Sequence, residues 1–326
     1  VGEARLGFED LHGALRAARR VLLTGPLGPD GDSLGACLAL ARVLRLEGLA
    51  VDVAGDAGFR YAFLPGADRL IHEDRVEPGY DAVVVLDGDR HRLAKPVEAA
   101  FEAADVRAII DHHASTQVDG YSHAWLAPRA ASTCEMLYDA FRRHDLPIDA
   151  DTAALLYVGA IFDTGGFRYS NTTPATHEMA ADLIARGFDH AALNARVLQQ
   201  RRVRGLRLTG EVFATAALLH GGALILGEVT RERCDRLDTS GQDLEGIVDT
   251  MVFVDGVEVA AVLHERKRDV KVSFRSRGRV NVAHVAHALD ASGGGHFKAS
   301  GVVLPVDLDA ARAAVVEAVG AALTAP

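Results

Sequence analysis

Cysteine is scarce in this chain: Cys37, Cys134 and Cys234 are the three in 326 residues, about a hundred positions apart. An odd, dispersed set with no CxxC pair and no histidine at zinc-finger spacing argues against a disulfide framework and a structural zinc site. Long apolar runs are also missing, since none approaches the ~20 residues that cross a bilayer, so no membrane association is expected. Val1–Arg20 mixes acids and arginines with apolar residues and lacks the apolar core and cleavage site of a secretory leader. The expected location is the cytoplasm. Positive charge is in deficit, with 35 Lys and Arg against 45 Asp and Glu, a net of −10. That balance disfavours long duplex nucleic acid, whose binding rests on neutralising many phosphates, and leaves small or short anionic ligands open. What is present is ordinary for a globular protein: 49% hydrophobic and 25% charged residues. The length predicts two cores.

A helix is expected over Phe8–Arg19, then a buried strand Val21–Gly25, a polar turn and a helix Ser33–Glu47. Further strands are expected at Leu49–Ala54, Asp81–Leu86 and Arg107–Ile110, with helices between. Continuous β-branched runs alternating with helices predict a parallel sheet covered on both faces, with ligands outside the carboxyl ends of its strands. From Ala131 the pattern turns helical: Ser132 and Glu135 suggest a capping box, Asp151 a helix start, and Pro174–Arg186 a helix. Asn194–Leu208 reads as an Arg-rich connecting helix. Beyond Phe213 come short strands at Ala223–Glu228, Val257–Leu263 and Val270–Phe274, with helices at Leu244–Phe253 and Val282–Leu289. The expected division is a first α/β domain over residues 1–190, a helical linker over 191–212 and a smaller mixed α/β domain over 213–326.

Four short segments carry chemistry. Gly28-Pro29-Asp30-Gly31-Asp32-Ser33 puts two carboxylates in the loop after the first strand, although a turn with a helix cap explains the same letters. Asp87 ends a wholly apolar strand, where a charge is costly unless paired or bound to a metal. Asp111-His112-His113 sets one acid and two imidazoles at another strand end, a donor mixture suited to Mn²⁺. Asp163 precedes Gly165, Gly166 and Arg168 at a helix end. Together Asp30, Asp32, Asp87, His112 and Asp163 are able to converge at one sheet edge as a dinuclear site for phosphoryl hydrolysis.

In this order the segments resemble the DHH phosphoesterase family, which includes RecJ-type exonucleases, family II pyrophosphatases and small nanoRNA/pAp phosphatases. The resemblance covers nearly the whole chain, because Arg275-Ser276 and Gly293-Gly294-Gly295-His296, followed by Ala299-Ser300-Gly301, are similar to the family's C-terminal DHH-associated domain. It implies an N-terminal parallel-sheet DHH domain and a smaller mixed domain facing it across a cleft. It implies Mn²⁺ as cofactor, one or two ions, with Mg²⁺ or Co²⁺ as substitutes. Asp30 and Asp87 would bind the first ion, and Asp32, Asp87, His112 and Asp163 the second. Asp111 would orient His112, and His113 would contact the reacting phosphate or supply a proton. Arg168, Asn171, Arg275, Ser276, Gly293, Gly294, Gly295 and His296 would hold the substrate, and a homodimer is in keeping with the family.

One position departs from the pattern. The family's first motif carries a metal-binding histidine four residues before its first aspartate, and here that position is Pro26. His91 is the nearest replacement by sequence, although a polar loop histidine between Arg90 and Arg92 is the better explanation. The expected function is metal-dependent hydrolysis of nanoRNA, linear dinucleotides or 3′-phosphoadenosine 5′-phosphate. The alternatives are a nucleotide-binding sensor without turnover and a pyrophosphatase-like hydrolase. Two basic clusters, Arg196–Arg207 and Arg266–Arg279, are solvated surface or parts of a substrate track.

Overall fold

The computed structural model describes residues 5–114 and 116–325, with Arg5 and Leu6 as backbone only. The start of the leader reading, Val1–Ala4, and the chain's last residue, Pro326, lie outside the described residues. The chain divides into two compact units, Val1–Gln200 and Arg201–Pro326. The first runs β1 (Arg5–Leu6), α1 (Phe8–Ala17), β2 (Val21–Thr24), α2 (Gly31–Leu46), β3 (Val51–Ala54), α3 (Gly58–Tyr61), β4 (Ala82–Leu86), α4 (Lys95–Ala103), β5 (Val106–Asp111) and β6 (His123–Leu126), then α5 (Thr133–Arg143), α6 (Ala150–Asp163), α7 (Pro174–Ile184) and α8 (His190–Asn194). The second holds α9 (Val203–Thr215), β7 (Ala217–Leu219), β8 (Leu224–Val229), α10 (Arg231–Leu237), α11 (Ile247–Met251), β9 (Val259–Glu265), β10 (Val270–Ser276), α12 (Val282–Leu289), β11 (Gly294–His296), β12 (Ala299–Leu304) and α13 (Leu308–Thr324).

The first sheet is parallel throughout, in the order β1-β6-β5-β4-β2-β3. Its apolar strands are continuous because both faces are covered. Val84, Leu86 and Ile110 enter a core with α1, α2, α5 and α6, while Val83, Val85 and Ile109 enter a second core with α4. β5, β4 and β2 are adjacent, so the segments that begin at Asp111, Asp87 and Asp30 leave the same edge side by side. α2 and α6 approach closely there, since a methyl on Gly35 would lie 2.6 Å from the Leu155 carbonyl oxygen.

The second unit is a mixed sheet in the order β11-β12-β10-β9-β8-β7, with β8 and β9 parallel and the other pairs antiparallel. α12 and α13 cover one face, and α9 and α11 cover the β8–β9 part of the other. The expected two-part α/β architecture is present.

Local expectations fail in instructive places. Asn194–Leu208 is not one helix: a single π-type turn at Ala195–Gln199 ends before Gln200, and α9 starts at Val203. Gln199–Arg202 bury no apolar side chain, so nothing outside the backbone holds a helix across them. Asp149, not Asp151, caps α6, accepting from the Thr152 N–H at 2.9 Å. The capping box at α5 is half made: Ser132 Oγ accepts from the Glu135 N–H, but Glu135 turns its carboxylate to the Ala131 N–H and the Thr176 hydroxyl, tying α5 to α7. β6, β7, β11, β12 and α13 were not legible: β6, β7 and β11 are short, β12 opens on Ala299-Ser300-Gly301 rather than an apolar run, and α13 is alanine-rich with a weak polar face.

Candidate active site

Two helix N-termini meet at the sheet edge. Asp30 is the N-cap of α2, its Oδ1 accepting from the N–H groups of Asp32 (3.0 Å) and Ser33 (3.1 Å). Asp32, in the first turn of α2 and fully buried, serves the next helix: it accepts from the Thr133 N–H at 2.6 Å and the Cys134 N–H at 3.0 Å. The positive end of α5 therefore faces this carboxylate. Thr133 also donates its hydroxyl to Asp87 Oδ1 at 3.3 Å, so a single residue holds two of the carboxylates. Asp87 follows β4 in the left-handed region (φ 58°), a costly conformation for a non-glycine residue, and this turns its side chain from the strand into the cluster.

His112 is buried, with its Nε2 3.0 Å from Asp163 Oδ2 and 3.5 Å from Asp87 Oδ1. Its Nδ1 lies 3.2 Å from the Ala130 carbonyl oxygen. A carbonyl only accepts, so Nδ1 carries a proton and Nε2 is the atom available to a metal. The expectation that Asp111 orients the His112 ring is corrected by this contact: the bond from His112 to Asp111 runs through its backbone N–H. The ring it does orient is that of His113, whose Nδ1 is 2.7 Å from Asp111 Oδ1. Thr116 donates its hydroxyl to the other Asp111 oxygen. Asp163 closes α6, and Asn171 Nδ2 donates to the carbonyls of Asp163 (3.1 Å) and Ala131 (3.0 Å), bracing the two segments that carry the site.

Asp32, Asp87, His112 and Asp163 thus bring four donor atoms within 4.8 Å of one another, and Asp87, Asp111 and His113 form a second such group. Asp30 belongs to neither, and one of its oxygens serves the α2 cap. His91 belongs to neither: its side chain is exposed and lies near Asp89. Pro26 is buried, and its ring packs on Gly88, whose added Cβ would sit 2.9 Å from Pro26 Cγ.

Charge in this cluster is unbalanced. Burial, then repulsion from the neighbouring aspartates, pushes the carboxyls of Asp30 and Asp32 well above the usual range, and burial raises Asp163 against the pull of His112. Burial also opposes Asp87, but the His112 hydrogen bond and the charge of His113 outweigh it and hold Asp87 at about 2. For His112, burial opposes its charge, and the bonds to Asp163 and Asp87 prevail, lifting it to about 12. Four crowded carboxylates with one imidazole fit a divalent cation, which would replace the His112 proton and offset the repulsion.

The cost is testable at Asp30. A carboxyl whose folded pKa exceeds its unfolded 3.8 withdraws stability as pH rises above that value, so the full penalty is present where the folded group would ionise. Asn is an equally good N-cap. Asp30→Asn is expected to raise the melting temperature of the metal-free chain at pH 8 and to leave it unchanged near pH 3. A fall at pH 8, read by calorimetry in EDTA, would contradict this account.

The remaining sequence candidates have internal partners. Arg168 is exposed and donates from Nε to the Gly165 carbonyl at 2.5 Å. In the second unit Arg275 pairs with Asp249 at 2.7 Å, and Ser276, expected to contact substrate, is buried and gives its hydroxyl to the Val280 carbonyl at 2.7 Å. Gly293 packs against the Ala286 carbonyl, and Gly294–His296 form an edge strand rather than a loose loop. Thr133, the Ala130 carbonyl and Gly159 were missed by sequence reasoning, since only the packing of α5 and α6 brings them to the site.

Comparison with known proteins follows the same division of the chain. Residues 20–160 match the DHH family, N-terminal domain, and residues 224–322 match the DHHA1 domain. The bifunctional oligoribonuclease and PAP phosphatase NrnA of Thermus thermophilus is 34% identical over 301 residues, covering 91% of this chain and 88% of that protein. An exopolyphosphatase-related protein of Bacteroides fragilis has the same fold, with a TM-score of 0.83 at 24% identity over 95% of this chain and 94% of that one. RecJ of Thermus thermophilus in complex with Mn²⁺ is a more distant fold relative, with a TM-score of 0.55 at 17% identity, covering 96% of this chain and 54% of RecJ. With a relative this similar along most of both lengths, the chain belongs to the DHH family, a DHH domain followed by a DHHA1 domain.

Proposed function

We propose that this chain is a divalent-metal-dependent phosphoesterase that hydrolyses short oligoribonucleotides to mononucleotides and 3′-phosphoadenosine 5′-phosphate to AMP, with Mn²⁺ as its preferred ion. The observation that carries the reading is the convergence of Asp32, Asp87, His112 and Asp163. The 34% identical relative, whose name states both activities, supplies the substrate class. A bound ion would neutralise phosphoryl charge and acidify water.

The chain's own residues do the rest. The α5 N-terminus holds Asp32, Thr133 steadies Asp87, and the Ala130 carbonyl fixes the His112 tautomer. Asp111 accepts the Nδ1 proton of His113, which leaves His113 Nε2 to hand a proton to the leaving oxygen. Pro26 contributes no donor beside Asp30, so occupancy by a second ion requires higher Mn²⁺ than occupancy by the first. Arg168, Arg275, His296 and the glycines before it are the anion-binding groups of this reading. Among the described residues no helix is long and apolar enough to cross a bilayer.

The test is release of mononucleotide from a labelled RNA dinucleotide, and of phosphate from 3′-phosphoadenosine 5′-phosphate, across a Mn²⁺ titration. Turnover is expected to rise with Mn²⁺ and to vanish in EDTA and in Asp163→Ala. Binding without turnover at every Mn²⁺ concentration would sink the hydrolase reading in favour of a nucleotide-binding protein.

A further inference from the structure

The basic cluster of the second unit sorts into two kinds of residue. Arg266 pairs with Asp269, and Arg279 donates to the carbonyls of Leu323 and Ala325, so these two serve the fold. Lys271, Ser273 and Arg275 have a different setting. They alternate along β10 with the buried Val272 and Phe274, which places them on the opposite face of the sheet. The register sets Ser273 opposite Gly301 and Arg275 opposite Ala299, so β12 is small opposite these two residues, with Val303 opposite Lys271. The helices α12 and α13 pack on the other face, and α9 and α11 cover β8 and β9, with α11 reaching β10 where its Asp249 pairs with Arg275. Within this unit, the β12–β11 part of the face carries no helix among the described residues.

Two exposed phenylalanines stand at the end of this face, each with a cation. Arg277 places its guanidinium carbon 5.5 Å from the Phe253 ring centroid, and Lys298 places Nζ 5.1 Å from the Phe297 centroid. The two pairs are linked, since Lys298 Nζ donates to the Arg277 carbonyl at 2.9 Å. Phe253 is 53% exposed and Phe297 47%, large apolar areas to leave in water. A ring with a cation on one face still presents the other, and positive charge beside flat, half-exposed rings on an acidic protein matches a ligand of stacked bases and phosphates.

We propose that Phe253 and Phe297, with Arg277 and Lys298, form a base-stacking platform for single-stranded oligonucleotides, which favours substrates of several nucleotides over a single nucleotide. The inference rests on the phosphoesterase reading for its biological ligand, but concerns binding rather than bond cleavage. Phosphates run along the cations, bases lie on the rings, and the small side chains of Ala299 and Gly301 let a flat ligand approach the sheet.

The experiment uses the full chain in EDTA, so that no turnover intervenes, and fluorescence anisotropy with a labelled penta-adenylate and its abasic counterpart. Phe253→Ala and Phe297→Ala are each expected to weaken penta-adenylate binding about tenfold, with Phe253→Trp restoring it and the abasic strand insensitive to all three. With Mn²⁺ added, hydrolysis of 3′-phosphoadenosine 5′-phosphate should stay unchanged in both alanine variants. Wild-type affinity in the variants, equal loss on the abasic strand, or a wild-type chain that does not bind the pentamer would overturn the platform. A wild-type chain that binds but never hydrolyses would instead overturn the phosphoesterase reading and leave the platform standing.

Discussion

His113→Gln should lower kcat by about 10²- to 10⁴-fold, the usual share of a positioned proton donor, with Mn²⁺ affinity nearly unchanged. The geometry separates the two roles of the adjacent histidines. His112 Nε2 lies against Asp163 and Asp87 among the four convergent donors, whereas His113 Nδ1 is tied to Asp111 Oδ1 at 2.7 Å. A side chain held at one nitrogen by a buried carboxylate has one proton-transfer atom left, and loss of that atom affects the chemical step more than binding. Asp111→Asn should also reduce kcat, because the amide keeps an acceptor for the His113 ring but loses the negative charge that favours its protonated form, and it replaces the oxygen that accepts the Thr116 hydroxyl. Since Asp111 acts through His113, the double variant should be no slower than His113→Gln alone. Single-turnover rates at saturating Mn²⁺, with Mn²⁺ binding followed by electron paramagnetic resonance, separate the effects. If His113→Gln abolishes Mn²⁺ binding and Asp111→Asn adds independently, the assignment of His113 to proton transfer is wrong.

Gly159→Ala should damage the metal centre although residue 159 offers no ligand. A methyl there would overlap Asp32 Oδ1 and Cys134 Sγ and lie 2.8 Å from Cys134 Cβ. None of these neighbours is free to retreat. Cys134 is in the first turn of α5, and Asp32 is bonded to the N–H groups of Thr133 and Cys134. Overpacking of this kind costs roughly 1–3 kcal/mol, and relief by sliding α6 along α2 is blocked where Gly35 meets the Leu155 carbonyl. We expect a lower melting temperature together with at least tenfold weaker Mn²⁺ binding, the second because Asp32 must leave the position in which it faces Asp87, His112 and Asp163. A variant with the lower melting temperature but wild-type Mn²⁺ affinity would show that Asp32 finds room, and that the close approach serves packing alone.

Both expectations depend on atoms the sequence names without locating. The alternation of apolar runs and helices is legible because a strand covered on both faces has no polar side to show, and Val83-Val84-Val85 records that condition directly. Polar residues that end such runs are equally legible: Asp87 and Asp111 are where burial gives way to chemistry. Asp30 shows the limit. Its letter fits both a metal ligand and a helix cap, and the local hydrogen bonds from Asp32 and Ser33 give it the second role whatever else it does. Ser276 shows a similar limit, because a serine after a basic strand residue does not reveal that Val280 lies within reach of its hydroxyl.

By itself, the sequence determined which residues are able to carry charge at the strand ends, that the first unit is a parallel sheet between helices, and that His112 and His113 sit beside an acid. These properties are encoded over a few neighbouring positions by strand and helix periodicity. The tertiary structure alone decided that Asp111 holds the ring of His113 and the Ala130 carbonyl that of His112. It also decided that α5 presents its N-terminus to Asp32, and that a glycine more than a hundred residues away leaves room for that carboxylate. Such contacts join segments distant in the chain, and their partners are set by how helices pack on the sheet, a relation no local pattern of residues records.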